Sequence, residues 1–137
     1  MKLHVAFYSG HDKISDGETT IEKFTEQGLE LLNSHKEELK MSKDATLIGP
    51  IDGEWGKEAY FEIETEGDLI SLDADFTIMS DGLDDKYDAL GEYLAVFDFE
   101  NNHSQSFCEG QYDTGTISHP DNDYDEYIAK AKATMGV

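Results

Sequence analysis

The feature that most constrains the fold is an alternation of side chains over two neighbouring segments. In Lys57 to Glu66 and in Leu69 to Ile78, every second residue falls on one largely apolar face, made up of Ala59, Phe61, Ile63 and Thr65 in the first segment and of Ile70, Leu72, Ala74, Phe76 and Ile78 in the second. This alternation is typical of strands that bury one face. Gly67-Asp68 between the segments suits a two-residue type II′ turn, in which glycine takes the positive φ of the first central position. The sequence therefore predicts a β-hairpin with its apolar side facing the core.

The solvent face of this predicted hairpin is acidic. Its register places Glu62 opposite Asp73 and Tyr60 opposite Asp75, with Glu64 beside them. Directly opposed carboxylates destabilise a sheet, so the hairpin would owe its stability to its inner face. We therefore take the outer face as a candidate surface for binding a partner, with the tyrosine as an aromatic anchor.

A helical periodicity of apolar residues predicts a long helix from about Glu18 to Leu39. Gly28 lies in the apolar stripe and would allow a strand to pack close to the helix. The opposite side carries a row of acids spaced by four residues, of which Glu22, Glu26 and Glu30 are candidate binding residues. Like charges at this spacing repel by roughly 0.2–0.5 kcal/mol per pair. The row is either a solvated face or an acidic contact surface.

The remaining segments complete an α+β pattern. Further strands are predicted at Lys2 to Tyr8, Ala45 to Ile48, Glu92 to Phe99 and about Ser104 to Tyr112, and a last helix ends at Met135. The Glu92 to Phe99 strand is apolar on both faces, which favours a central position in the sheet. We predict one two-layer domain over residues 1–137, an antiparallel sheet with its N-terminal and C-terminal helices packed on one face.

Negative charge limits the classes of partner. The chain has 31 acidic residues against 10 basic ones, all of them lysine, and its formal net charge is -21. A charge of about 2–8 would be enough to keep a small domain soluble. Residues 44–127 hold 23 of the acids and two of the lysines, so the charge is concentrated rather than uniform. We therefore expect no binding to nucleic acid or to anionic lipid.

Compartment and membrane topology follow from two further observations. No apolar run approaches the roughly 20 residues that a helix needs to cross a bilayer. Cys108 is the only cysteine, so no disulfide can form within the chain. We expect a cytoplasmic protein that does not cross a membrane.

No motif in the sequence predicts an active site or a metal centre. Asp121 to Asp125 places acids as in a calcium-binding EF-hand loop but lacks the required glycine and the bidentate glutamate, and Asp81 to Asp85 also departs from that pattern. Cys108 and the nearby histidines lack the spacing of a zinc site. Glycine-rich phosphate-binding motifs are absent from the sequence. We expect no enzyme activity, catalytic residue, metal or cofactor.

Charge mimicry is the leading functional hypothesis from the sequence. The acidic surface would occupy the basic groove of a nucleic-acid enzyme, typically a nuclease, as an immunity protein against a toxin or as a phage anti-defence protein. Three alternatives remain open: a non-enzymatic acidic module that binds a cation or another basic protein, a small enzyme without a recognisable motif, and general adaptation to salt. The uneven charge distribution argues against the last of these. The sequence leaves the oligomeric state undetermined.

Overall fold

Six antiparallel strands form the sheet in a computed structural model, which describes residues 1–8, 21–52, 57–81, 93–108, 116–117 and 124–136. The strand order is β2-β3-β1-β4-β5-β6, with every neighbouring pair antiparallel. The strands are β1 (Lys2–Tyr8), β2 (Thr46–Asp52), β3 (Lys57–Glu64), β4 (Tyr93–Asp98), β5 (His103–Cys108) and β6 (Thr116–Ile117). The central position predicted for β4 is confirmed, since β4 lies between β1 and β5.

Three helices accompany the sheet in the described ranges: α1 (Ile21–Ser34), α2 (Asp73–Asp81) and α3 (Tyr124–Met135). Strands and helices together confirm the α+β class. The predicted long helix is shorter than expected, because residues 35–40 form turns after α1. The predicted end of α3 is confirmed, since Gly136 follows with a φ of 73°. A positive φ is a common way for a helix to end.

The larger core cluster lies on one face of the sheet. Leu3, Val5 and Phe7 of β1 point to this face, and α1 contributes Phe24 among its buried residues. Phe76 of α2 belongs to the same cluster. Alternate residues of each strand thus form an apolar surface that α1 and α2 cover.

A smaller cluster forms on the opposite face of the sheet. It contains Ala6 of β1, Phe97 of β4 and Met135 of α3. The prediction that the N-terminal and C-terminal helices share one face is not confirmed, because α3 joins this cluster while α1 joins the other. The physical reason is that β4 carries apolar side chains on both sides and Ala6 of β1 is buried on this second face, so both faces of the sheet need cover.

The predicted hairpin is half right. β3 forms as expected, with Phe61 and Ile63 buried on its inner side. The segment expected to pair with it is instead a turn followed by α2. Both sides of β3 are already occupied, by β1 and by β2, so no position beside β3 remained for a further strand.

The residues after β3 also carry a helical pattern. Leu69, Leu72, Phe76 and Met79 are spaced by three and four residues, and all are buried. Asp68 sits at the start of this turn, where its Oδ1 accepts a hydrogen bond of 2.7 Å from the amide of Ser71. Asp68 therefore begins a helical segment rather than a hairpin turn, in the manner of a capping residue.

Strand β2 differs from its predicted length. The predicted strand ends at Ile48, whereas β2 continues to Asp52 with an irregularity in register between Leu47 and Gly49. Proline is compatible with β2 because this strand lies at an edge of the described sheet, where one row of amides has no ladder partner.

Candidate binding surfaces

Tyr60 is not the surface anchor that the sequence suggested. Its side chain is only 5% exposed and packs in the smaller core cluster. The Tyr60 hydroxyl donates a hydrogen bond of 2.7 Å to Oε2 of Glu58. The prediction treated Tyr60 as outward-facing on a one-sided hairpin, whereas the outer face of β3 is partly covered in the folded chain.

Glu62 lies on the same face of β3 as Tyr60 and is half-buried beside β1. Its carboxylate is 3.4 Å from Nζ of Lys2 and 3.8 Å from Nε2 of His4. Glu64 is opposite Lys2 in the register of β1 and β3. Part of the negative charge expected on this face is therefore compensated locally by lysine.

His4 is the buried titratable residue next to that carboxylate. Burial is the largest influence on the pKa of His4 and lowers it, Glu62 raises it, and Lys2 lowers it further. Neither ring nitrogen of His4 has a hydrogen-bond partner among the described residues. The ring is tilted against Phe99, with 5.0 Å between centroids. The lowered pKa means that the folded chain favours the neutral form of the His4 ring more than the unfolded chain does.

Asp73 and Asp75 do not face Glu62 and Glu64. Both aspartates lie in the first turn of α2. The buried residues of α2 belong to the larger cluster, whereas the outer side of β3 faces the smaller one. The structure therefore separates four acids that the predicted hairpin had brought together. In the first turn of a helix, each aspartate is favourably placed with respect to the helix dipole.

Glu22, Glu26 and Glu30 do form one surface. All three are exposed on α1. Successive members are four residues apart, which separates them by about 6 Å along the helix axis. Within the described ranges, none of the three takes part in an ion pair. We call these residues the α1 acidic row. It is the part of the predicted binding surface that the fold preserves.

An open groove of about 440 Å³ lies beside the α1 acidic row, between α1 and the edge strand β2. Its wall is mainly apolar, and Glu22 and Glu26 of the row belong to its lining. The lining residues are Ile21, Glu22, Thr25, Glu26, Leu29 and Pro50. The groove as a whole was not predicted from the sequence. Positions 21, 25 and 29 recur at helical spacing and could have indicated the α1 wall, but Pro50 comes from another element.

Two further apolar side chains are exposed near the acidic residues of α2. Ile78 is 65% exposed on the helix, and Ile70 is 74% exposed in the turn that precedes it. Both were predicted to lie on the inner face of the hairpin, so their burial was predicted wrongly. Single exposed apolar residues are common on soluble proteins and do not by themselves define a site.

The described part of the chain contains no group of three His, Cys, Asp or Glu side chains that could hold a metal ion. Most of Asp81 to Asp85 and of Asp121 to Asp125, as well as His119, lie outside the described residues. Across the described ranges, no helix combines the length and apolar character needed to span a bilayer.

Comparisons with protein-family models, with curated proteins and with solved structures find no significant match to this chain. The surface chemistry of the molecule is therefore the basis for its proposed function.

Proposed function

We propose that this protein is a non-enzymatic inhibitor that binds a basic, nucleic-acid-handling enzyme, such as a nuclease, and blocks its nucleic-acid groove by charge mimicry. The observation that carries the proposal is the α1 acidic row, three exposed carboxylates on one side of a single helix. Immunity to a cognate toxin and phage anti-defence are the biological settings that fit such an inhibitor.

The α1 acidic row is held on a well-anchored element. Phe24, Leu31 and Leu32 bury the inner side of α1 against the sheet, so the outer carboxylates project from a fixed backbone. A groove that binds nucleic acid presents basic side chains to a succession of phosphates. A row of carboxylates on a rigid helix presents the same negative charge as those phosphates. Little entropy is lost on binding, because the backbone that carries the carboxylates is already ordered.

The charge of the whole chain supports the same partner class. A net charge of -21 attracts a basic surface over distances beyond direct contact and raises the rate of association. The same field repels DNA and RNA, and the chain has no arginine that could form bidentate hydrogen bonds with a phosphate. The proposed partner is therefore a protein and not a nucleic acid.

The main competing proposal is an acidic module that binds a basic protein unconnected with nucleic acid. The mainly apolar groove beside the α1 acidic row favours a protein partner in general, because apolar contact area is not part of phosphate mimicry. The two proposals differ in whether nucleic acid and this protein compete for one surface of the partner.

Competition provides the test. Partners captured from a host lysate at low and high salt would be identified, purified and assayed for nucleic-acid binding and cleavage. We expect inhibition that is competitive with respect to nucleic acid and is lost in the triple variant E22Q/E26Q/E30Q. A partner that binds this protein and nucleic acid simultaneously, with undiminished activity, would contradict the proposal and support the competing one.

A further inference from the structure

The groove between α1 and β2 combines an apolar wall with two carboxylates, and this combination limits the kind of ligand that would be complementary to it. Ile21, Leu29 and Pro50 supply apolar contact, while Glu22 and Glu26 supply two carboxylates one helical turn apart. An apolar ligand would leave the carboxylates partly desolvated without compensation. A small cation would gain nothing from the apolar wall. A complementary ligand needs an apolar stem that ends in a positive charge.

We infer that this groove is an anchor site for one arginine or lysine side chain of a basic partner protein. The methylene stem would pack on Ile21, Leu29 and Pro50, and the cationic end would lie between Glu22 and Glu26. Long basic side chains commonly bury their stems in this way while the charge stays near water. The inference rests on one part of the proposed function, namely that the partner is a basic protein.

Charge complementarity selects this occupant over a second copy of the chain. With 31 acids, 10 lysines and a net charge of -21, two copies would repel as they approached. Nucleic acid is excluded by the same sign of charge. The site also differs from a general acidic surface, because only two members of the α1 acidic row, Glu22 and Glu26, line the groove.

Strand addition at the neighbouring sheet edge is a poorer alternative. β2 forms an edge of the described sheet, but its register with β3 shifts between Leu47 and Gly49. Pro50 has no amide hydrogen to donate to an added strand. Both features discourage the pairing of a further strand with β2. Recognition at this edge therefore depends on side chains that enter the groove.

A pair of synthetic peptides separates the stem from the charge. The first alternates glycine with arginine, and the second carries the same guanidinium groups on a single methylene. Both would be titrated into the labelled protein at fixed ionic strength and followed by amide chemical shifts. We expect the arginine peptide to shift amides from Ile21 to Leu29. The short-stem peptide should bind about sixteenfold more weakly, because its stem lacks two methylenes and each buried methylene contributes about fourfold.

Matched double variants separate the groove from the overall charge. E22Q/E26Q removes the two carboxylates that line the groove, whereas E37Q/E38Q removes two exposed carboxylates in the turns after α1, outside both the groove and the α1 acidic row. We expect E22Q/E26Q to weaken binding of the arginine peptide by about tenfold and E37Q/E38Q to weaken it by about twofold. Equal affinity for both peptides, or equal losses in both variants, would overturn the inference.

The two proposals fail in different ways. If the arginine peptide occupies the groove but no captured partner is inhibited in its nucleic-acid chemistry, the proposed function is wrong and the groove site stands. If an enzyme is inhibited competitively with nucleic acid and E22Q/E26Q inhibits it as well as E37Q/E38Q does, the function stands and the groove is not the anchor site.

Discussion

Gly28 of α1 packs directly on the ring of Phe61 in β3. A β-carbon added at Gly28 would lie 2.9 Å from both Cε2 and Cζ of that ring. The ring itself is held edge-on to Phe7, with 5.7 Å between centroids and an interplanar angle of 77°. The absence of a side chain at Gly28 therefore sets how closely α1 approaches the sheet, as the sequence suggested.

Replacing Gly28 with alanine should destabilise the protein. Alanine gains about 1 kcal/mol of helix propensity over glycine, but overpacking a core costs about 1–3 kcal/mol. We expect a net loss of about 1 kcal/mol in the free energy of unfolding, measured by urea denaturation. Gly49→Ala is the control, since nothing lies within 4 Å of the added carbon there. A gain in stability for Gly28→Ala would show that the Phe61 ring yields easily.

Alanine substitutions distinguish the observed helix α2 from the predicted hairpin. Ile63→Ala and Leu72→Ala should each cost about 2–5 kcal/mol, because both side chains are almost fully buried. Ile70→Ala and Ile78→Ala should change stability by less than about 0.5 kcal/mol, because both side chains are exposed. The hairpin register would instead make all four substitutions costly. Chemical denaturation of the four variants measures the difference.

The stability of the protein should fall as the solution is acidified through the range where free histidine titrates. The folded pKa of His4 is lowered mainly by burial, so the folded state binds fewer protons than the unfolded state. The contribution is fully present above the unfolded pKa of about 6.5 and is lost as pH falls toward the folded pKa. Unfolding free energies for wild type and His4→Gln, compared between about pH 7.5 and about pH 5.5, should converge on acidification. If the unfolding free energies of the two proteins stay parallel over this pH range, His4 is not the source of the pH dependence.

Neutralising acids should have opposite effects on stability at different positions. E22Q/E26Q/E30Q removes repulsion within the α1 acidic row and should leave the fold unchanged or slightly more stable. D73N/D75N removes two charges favourably placed at the start of α2 and should cost about 0.3–1 kcal/mol per residue at low salt. Melting temperatures at low and high salt provide the measurement, and both effects should shrink as salt rises. If both variants shift the melting temperature in the same direction, the acids of α1 and α2 do not have the opposite effects on stability expected here.

Nucleic acid should not bind this protein directly. Its net charge of -21 and its lack of arginine oppose contact with phosphates even at low ionic strength. An electrophoretic mobility shift assay with DNA and with RNA, carried out at low salt, should show no complex at micromolar protein. A complex of submicromolar affinity would remove the basis of charge mimicry.

Local periodicity was sufficient to predict most elements of the fold. β1, β3 and β4 lie where alternating or fully apolar segments indicated them, because their side chains meet an apolar layer on at least one face. The helical stripe of α1 and the Gly136 end of α3 were also evident, since each depends on residues close in sequence. The α1 acidic row followed directly from the same helical spacing.

Tertiary structure alone decided the state of residues 69–78 and the location of the groove between α1 and β2. The apolar residues of that segment fit both an alternating and a helical pattern. The pairing of β1 and β2 on either side of β3 excludes the predicted hairpin, and the segment forms a turn and α2. The groove arises because α1 packs beside an edge strand that contains Pro50. Sequence specifies which side chains share a face within one element, whereas contacts between elements depend on which neighbours have already occupied the available surface.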